Sequence, residues 1–210
     1  MGLSCHPFAE WSEAVLRKVR PHLVELSVRA ATLKHLRVIR DMSSLRKLDL
    51  DIGDTAGEEV PTLPLQLEEL TMNEFTGGHL QSIQWMPNLR RLHLMGYSED
   101  ELEFTAMPEH CGLQYIDVAI SSDPTTLSLV RANRATLSEL QVYCATRPGH
   151  CFINNLSASL HQCGANGLRR LTLRRNPWHH DLRNCRLQLE AFRARFGPGV
   201  GVQCSLCVDE

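Results

Sequence analysis

The sequence predicts an α/β solenoid, a curved horseshoe with parallel strands on its concave face and helices outside. Three observations carry that expectation. The phrase L-x-x-(L/I)-x-(L/V/M) occurs seven times, opening at Leu23, Leu45, Leu67, Leu89, Leu113, Leu137 and Leu168. Its fifth position is polar in every copy: Ser27, Asp49, Thr71, His93, Asp117, Gln141 and Thr172. Between the copies lie segments with helical spacing and helix start and stop signals. Alternation of period two makes a short strand with one dry and one wet face. A single such strand cannot bury its dry face alone, so its neighbours must stack on it.

The opening leucines follow one another at intervals of 22, 22, 22, 24, 24 and 31 residues. All but the last gap fall in the range of leucine-rich repeats. The long gap carries an insertion around residues 144–155, punctuated by Pro148-Gly149. Residues 1–22 are expected to form an N-terminal capping helix, with Phe8, Trp11, Val15, Leu16 and Val19 on its apolar stripe. That helix could cap the open end of the core or dock an upstream domain. Residues 23–180 hold the repeats.

Taken in order, the linking segments read as helices. "GGHLQSIQWM" and "NNLSASLHQCG" have apolar residues at helical spacing, the latter with Gly164 as its stop. "SEDELEF" offers Ser98 and Glu101 as a capping box, and Ser122 or Asp123 precedes Pro124 at a first helical position. Residues 181–210 read as a C-terminal cap, a helix ending at Gly197 and a last strand in "VGVQCSLCV". The asparagine that many repeats place at position nine occurs once, as Asn176, so uneven curvature is expected.

The concave wall is the open surface of such a stack, and it is the candidate protein-binding site. Its members are Lys47, Asp49 and Asp51; Glu69, Thr71 and Asn73; Arg91 and His93; Tyr115 and Asp117; Glu139, Gln141 and Tyr143; Arg170, Thr172 and Arg174. The early rungs lean acidic and the last is basic, a gradient that suits a protein ligand of mixed charge. Tyr and Arg dominate binding hot spots, which makes Arg91, Tyr115, Tyr143 and Arg174 the expected anchors.

A formal net charge of −2 over 210 residues argues against nucleic acid or an anionic membrane as the partner. There is no secretory leader and no membrane-length apolar run, so the reading expects a cytoplasmic or nuclear protein. In that setting the eight cysteines are expected as thiols and the sequon at Asn155 as unused. His6 stands where myristoylation of Gly2 would want Ser or Thr. Ser27, His93 and Asp117 fall in separate repeats with no nucleophile elbow, so no enzyme and no cofactor are expected.

Cys204-x-x-Cys207 is half of a zinc knuckle, and His150, Cys151, His161, Cys163, His179, His180 and Cys185 crowd the same third of the chain. A zinc module normally shows two such pairs, and one is present. The sequence therefore predicts no metal site, with Cys204 and Cys207 kept as the candidate ligand pair.

The repeats, the leading helix before "PHLVELSV" and the ending "LEAFRARFGPGVGVQCSLC" resemble the leucine-rich-repeat region of F-box proteins, the substrate receptors of SCF-type ubiquitin ligases. The resemblance runs from about Phe8 to Cys207. It implies a substrate-recognition role for the concave wall. The F-box itself, the helical module that binds the Skp adaptor, has no room before Phe8; Skp and cullin are thus partners only if an F-box lies upstream. The rival reading is a free-standing repeat adaptor or inhibitor with no ubiquitin role.

Overall fold

A computed structural model describes residues 1–53, 61–75, 77–96, 102–105, 112–120, 123–147, 152–153 and 155–207. The described residues build one open sheet of nine parallel strands in sequential order. The strands are β1 (Gly2–Ser4), β2 (Glu25–Ala31), β3 (Lys47–Ile52), β4 (Glu69–Asn73), β5 (Arg91–Gly96), β6 (Tyr115–Ile120), β7 (Glu139–Tyr143), β8 (Arg170–Arg174) and β9 (Gly201–Cys204). The helices are α1 (Ala9–Val19), α2 (Leu33–Arg40), α3 (Gly77–Ile83), α4 (Asp123–Ala132), α5 (Leu156–Gln162) and α6 (Leu182–Phe196).

Each of the seven repeat phrases supplies one strand, and the phrases pair position for position. Leu26, Leu48, Leu70, Leu92, Ile116, Leu140 and Leu171 align across the sheet, as do Ser27, Asp49, Thr71, His93, Asp117, Gln141 and Thr172. A slip of one residue would turn every leucine to water, which is why the register is so strongly specified. The fourth and sixth positions are at most 3% exposed and join the apolar side chains of the helices in one continuous core.

The ends are fuller than the sequence suggests. β1 adds an edge strand beside β2, pairing Gly2 with Ser27. α1 is helical as expected but buries only part of the expected stripe: Leu16 is buried and Val15 and Val19 are half-buried, while Phe8 is 68% and Trp11 62% exposed and Ser12 is buried instead. The reason is polar. His35 is wholly buried at the start of α2, and its Nε2 lies 2.9 Å from Ser12 Oγ and 3.1 Å from the Ala9 carbonyl. Its Nδ1 accepts from the Thr32 amide, completing a capping box in which histidine replaces the usual Glu or Gln. Satisfying that buried imidazole turns α1 so that Ser12 faces inward.

At the other end α6 is capped by Asp181, which accepts from the Asn184 amide, and stops at Gly197 with φ +71°. β9 then lies beside β8, Leu171 opposite Val202. Pro124 falls in the first turn of α4, and Gly164 follows α5 with φ +73°. Ser98, Glu101, Ser122 and the Pro148-Gly149 punctuation lie outside the described residues. Leu102–Phe104, expected as helix, lie in no helix or strand: hydroxyls of Thr125 and Ser128 on α4 accept from the Leu102 and Phe104 amides at 2.9 and 3.0 Å, binding the segment to the next repeat.

Candidate functional site

The polar face of the sheet is where the third, fifth and seventh residues of each phrase emerge. Because successive side chains in a strand point to opposite faces, burying the leucines places these residues together on the other side. Lys47, Asp49, Asp51, Glu69, Thr71, Asn73, Arg91, His93, Glu139, Gln141, Tyr143, Arg170 and Arg174 are exposed or half-buried there. Tyr115, Asp117 and Thr172 differ: they are 7%, 6% and 6% exposed. The wall is therefore not open along its whole length, because neighbouring side chains close over its middle.

That middle is a cross-strand cluster. A single guanidinium nitrogen of Arg174, Nη1, donates to both carboxylate oxygens of Asp117 at 2.9 and 2.7 Å, reaching across β7 to do so. His93 Nδ1 is 3.4 Å from the same carboxylate, and its ring lies 4.8 Å from that of Tyr115. The Arg91 guanidinium sits 4.2 Å above the Tyr115 ring, a cation–π contact, and 3.7 Å from Glu69. Burial opposes ionisation of Asp117, but the hydrogen bonds from His93 and Arg174 outweigh it and hold the carboxyl below its ordinary range. Burial, reinforced by the charge of Asp117, pushes the Tyr115 phenol up.

Three of the four expected anchors thus meet in one place, tied to one another. Arg91 remains half open to solvent, whereas Arg174 is held by a buried partner. Tyr143 lies on β7 between them. Toward the N-terminal edge, Glu25, Lys47, Asp49, Glu69 and Thr71 line a shallow open depression. Here Lys47 pairs with Glu25 at 3.1 Å and Ser27 donates to Asp49 at 2.8 Å. On the C-terminal side Arg170 pairs with Glu139 at 3.4 Å, and Gln203 covers Thr172. The acidic-to-basic gradient read from the sequence is in practice broken up by pairing between adjacent rungs.

Ser27 and His93 lie on β2 and β5, three strands apart. At about 4.8 Å per strand, their side chains are far beyond hydrogen-bond reach.

A second constellation lies in the C-terminal cap. His180 Nε2 is 3.6 Å from Cys204 Sγ and 3.5 Å from Cys207 Sγ, while Cys207 Sγ is 3.8 Å from Cys185 Sγ. The sequence pairs Cys204 with Cys207 and offers His180 and Cys185 only among seven other histidines and cysteines of that third, without setting them apart. His180-x-x-x-x-Cys185 straddles the start of α6, so its spacing does not read as a knuckle. Burial pushes the Cys185 thiol up to about 12. At Cys204 burial works upward too, but donation by the Leu206 and Cys207 amides and by the two neighbouring thiols brings it below the ordinary thiol value.

No helix among the described residues is long and apolar enough to cross a membrane. No protein-family model, curated protein or solved structure matches this chain significantly.

Proposed function

We propose that the chain is a leucine-rich-repeat solenoid that binds another protein through its concave, polar face, as the substrate-recognition part of an F-box type receptor of an SCF ubiquitin ligase. The observation that carries the reading is the register. Seven phrases place seven polar residues side by side, from Ser27 to Thr172, on one side of a parallel sheet. Strands pack about 4.8 Å apart, closer than the helices behind them, so such a stack bends toward its strands and leaves them on the inner wall. A broad wall of mixed charge with an Arg–Tyr cluster at its centre suits a folded protein surface better than a small molecule, which needs an enclosed pocket.

The ligase role rests on the resemblance of the repeats and of the C-terminal ending to F-box receptors. Affinity purification of the tagged chain from its own cells, beside any longer product of the same locus, tests it by mass spectrometry. Co-purification of a Skp adaptor and a cullin with either product is the expected result. Their absence from both, with another protein enriched, would make the chain a free-standing adaptor.

A further inference from the structure

We propose that His180, Cys185, Cys204 and Cys207 bind one zinc ion, as a closed structural site that staples the C-terminal cap. The four donor atoms come from three separate segments: the turn after β8, the first turn of α6, and the end of β9 with the turn beyond it. They nevertheless converge, all within 4.8 Å of one another.

The distances discriminate. Zinc holds sulfur at about 2.3 Å and imidazole nitrogen at about 2.0–2.1 Å in a tetrahedron, whose edges are then about 3.8 Å between sulfurs and about 3.6 Å between nitrogen and sulfur. The observed 3.8 Å between Cys185 and Cys207, and 3.6 and 3.5 Å from His180 to Cys204 and Cys207, fall on those edges. A disulfide would bring one pair of sulfurs to about 2.05 Å and leave the imidazole with no role. Three thiolates and one imidazole are also the soft, nitrogen-tolerant set that favours zinc over calcium or magnesium. Four protein ligands leave no open position, which is the mark of a structural site.

Charge supplies an independent argument. Arg175 is 5% exposed, and the groups that accept from it are neutral: the Cys144 and Ala145 carbonyls, the Cys144 thiol and the Gln188 side chain. Its Nη2 points at Cys185 Sγ from 4.0 Å, and its buried Nε has no hydrogen-bond partner among the described residues. A buried cation without a counter-ion is costly. Zinc with three thiolates and a neutral imidazole carries a formal charge of −1, a counter-ion for a guanidinium that has no carboxylate partner among the described residues. The Leu206 amide, which donates to Cys204 Sγ at 3.4 Å, further favours a thiolate there. Binding would turn three thiols into thiolates and release their protons to solvent.

The test is metal analysis of tag-free protein, prepared with zinc in the growth medium and dialysed under a phosphine reductant. One zinc per chain is expected. Cys185→Ser and Cys207→Ser should each lose it, Cys207→His should keep it, and Cys163→Ser, outside the cluster, should keep it too. Should the serine variants fail to fold, cobalt(II) titration of the wild-type chain replaces them. Intense visible bands of tetrahedral cobalt thiolate, abolished by added zinc, are then expected. Folded wild-type protein that takes up neither metal overturns the proposal, as does a Cys207→Ser variant that retains full zinc.

Discussion

Asp117 is the residue on which the polar face turns. In the sequence it is one polar fifth position among seven; in the structure it is the most enclosed acid of the sheet, held by Arg174 and His93. Arg174, expected as a free binding anchor, is therefore a poor probe of binding. Replacing it with alanine leaves a buried carboxylate with little compensation and should destabilise the fold by about 2–4 kcal/mol. Arg91→Ala, removing a half-exposed cation over Tyr115, should cost about 1 kcal/mol or less. Urea unfolding of the two variants checks the contrast, and equal effects would mean that the Asp117 pair is not buried as described. What hid this pairing from the sequence is distance: positions 117 and 174 are brought together only by stacking β6, β7 and β8. The cysteine cluster was hidden in the same way, because Cys185 and His180 meet Cys207 only once α6 has folded back beside β9.

Among the elements, the seven repeat strands were legible because the alternation of Leu and polar residues admits one register, whereas β1, which carries no repeat phrase, was not. The helices were less so. α1 displays Trp11, with Phe8 just before it, and buries Ser12, a choice made by the imidazole of His35 in α2 and invisible in α1 alone. Such buried histidines also set a pH dependence. Burial lowers His79, in α3, from 6.5 to about 4, and burial first of all lowers His35 as well. Both are neutral in the folded chain, while the unfolded chain takes up protons near pH 6.5. A depressed histidine thus contributes its full stabilisation above that value and loses it as pH falls toward the folded pKa. For His79 the loss should reach about 2 kcal/mol by pH 5. Urea midpoints of wild type and His79→Phe at pH 7 and pH 5 measure it: the wild type should drop more steeply, and parallel slopes would contradict the account.

Across the whole molecule, the repeat period and the dry and wet positions of the repeat strands are legible in the sequence, since burial of a continuous leucine face leaves the chain little freedom. Beyond reach were the interactions between rungs. Pairing of Lys47 with Glu25, Arg91 with Glu69 and Arg170 with Glu139 breaks the gradient that the composition of each rung suggests. These pairs are solvent-exposed, so screening by water and salt leaves them contributing little stability. They are also the groups that a partner would meet first. Lys47, Arg91 and Arg170 can accordingly be reversed together while the contacts of Arg174 and His93 with Asp117 stay in place, Arg91 touching that cluster only through the Tyr115 ring. The measurement that bears most directly on the central claim is capture by Lys47→Glu/Arg91→Glu/Arg170→Glu, compared with wild type by quantitative mass spectrometry from the same cells, with thermal unfolding as the control. Loss of the wild-type partners at least tenfold, with a thermal midpoint shifted by only a few degrees, is the predicted result. Equal capture by a folded triple variant would contradict a binding role for this face.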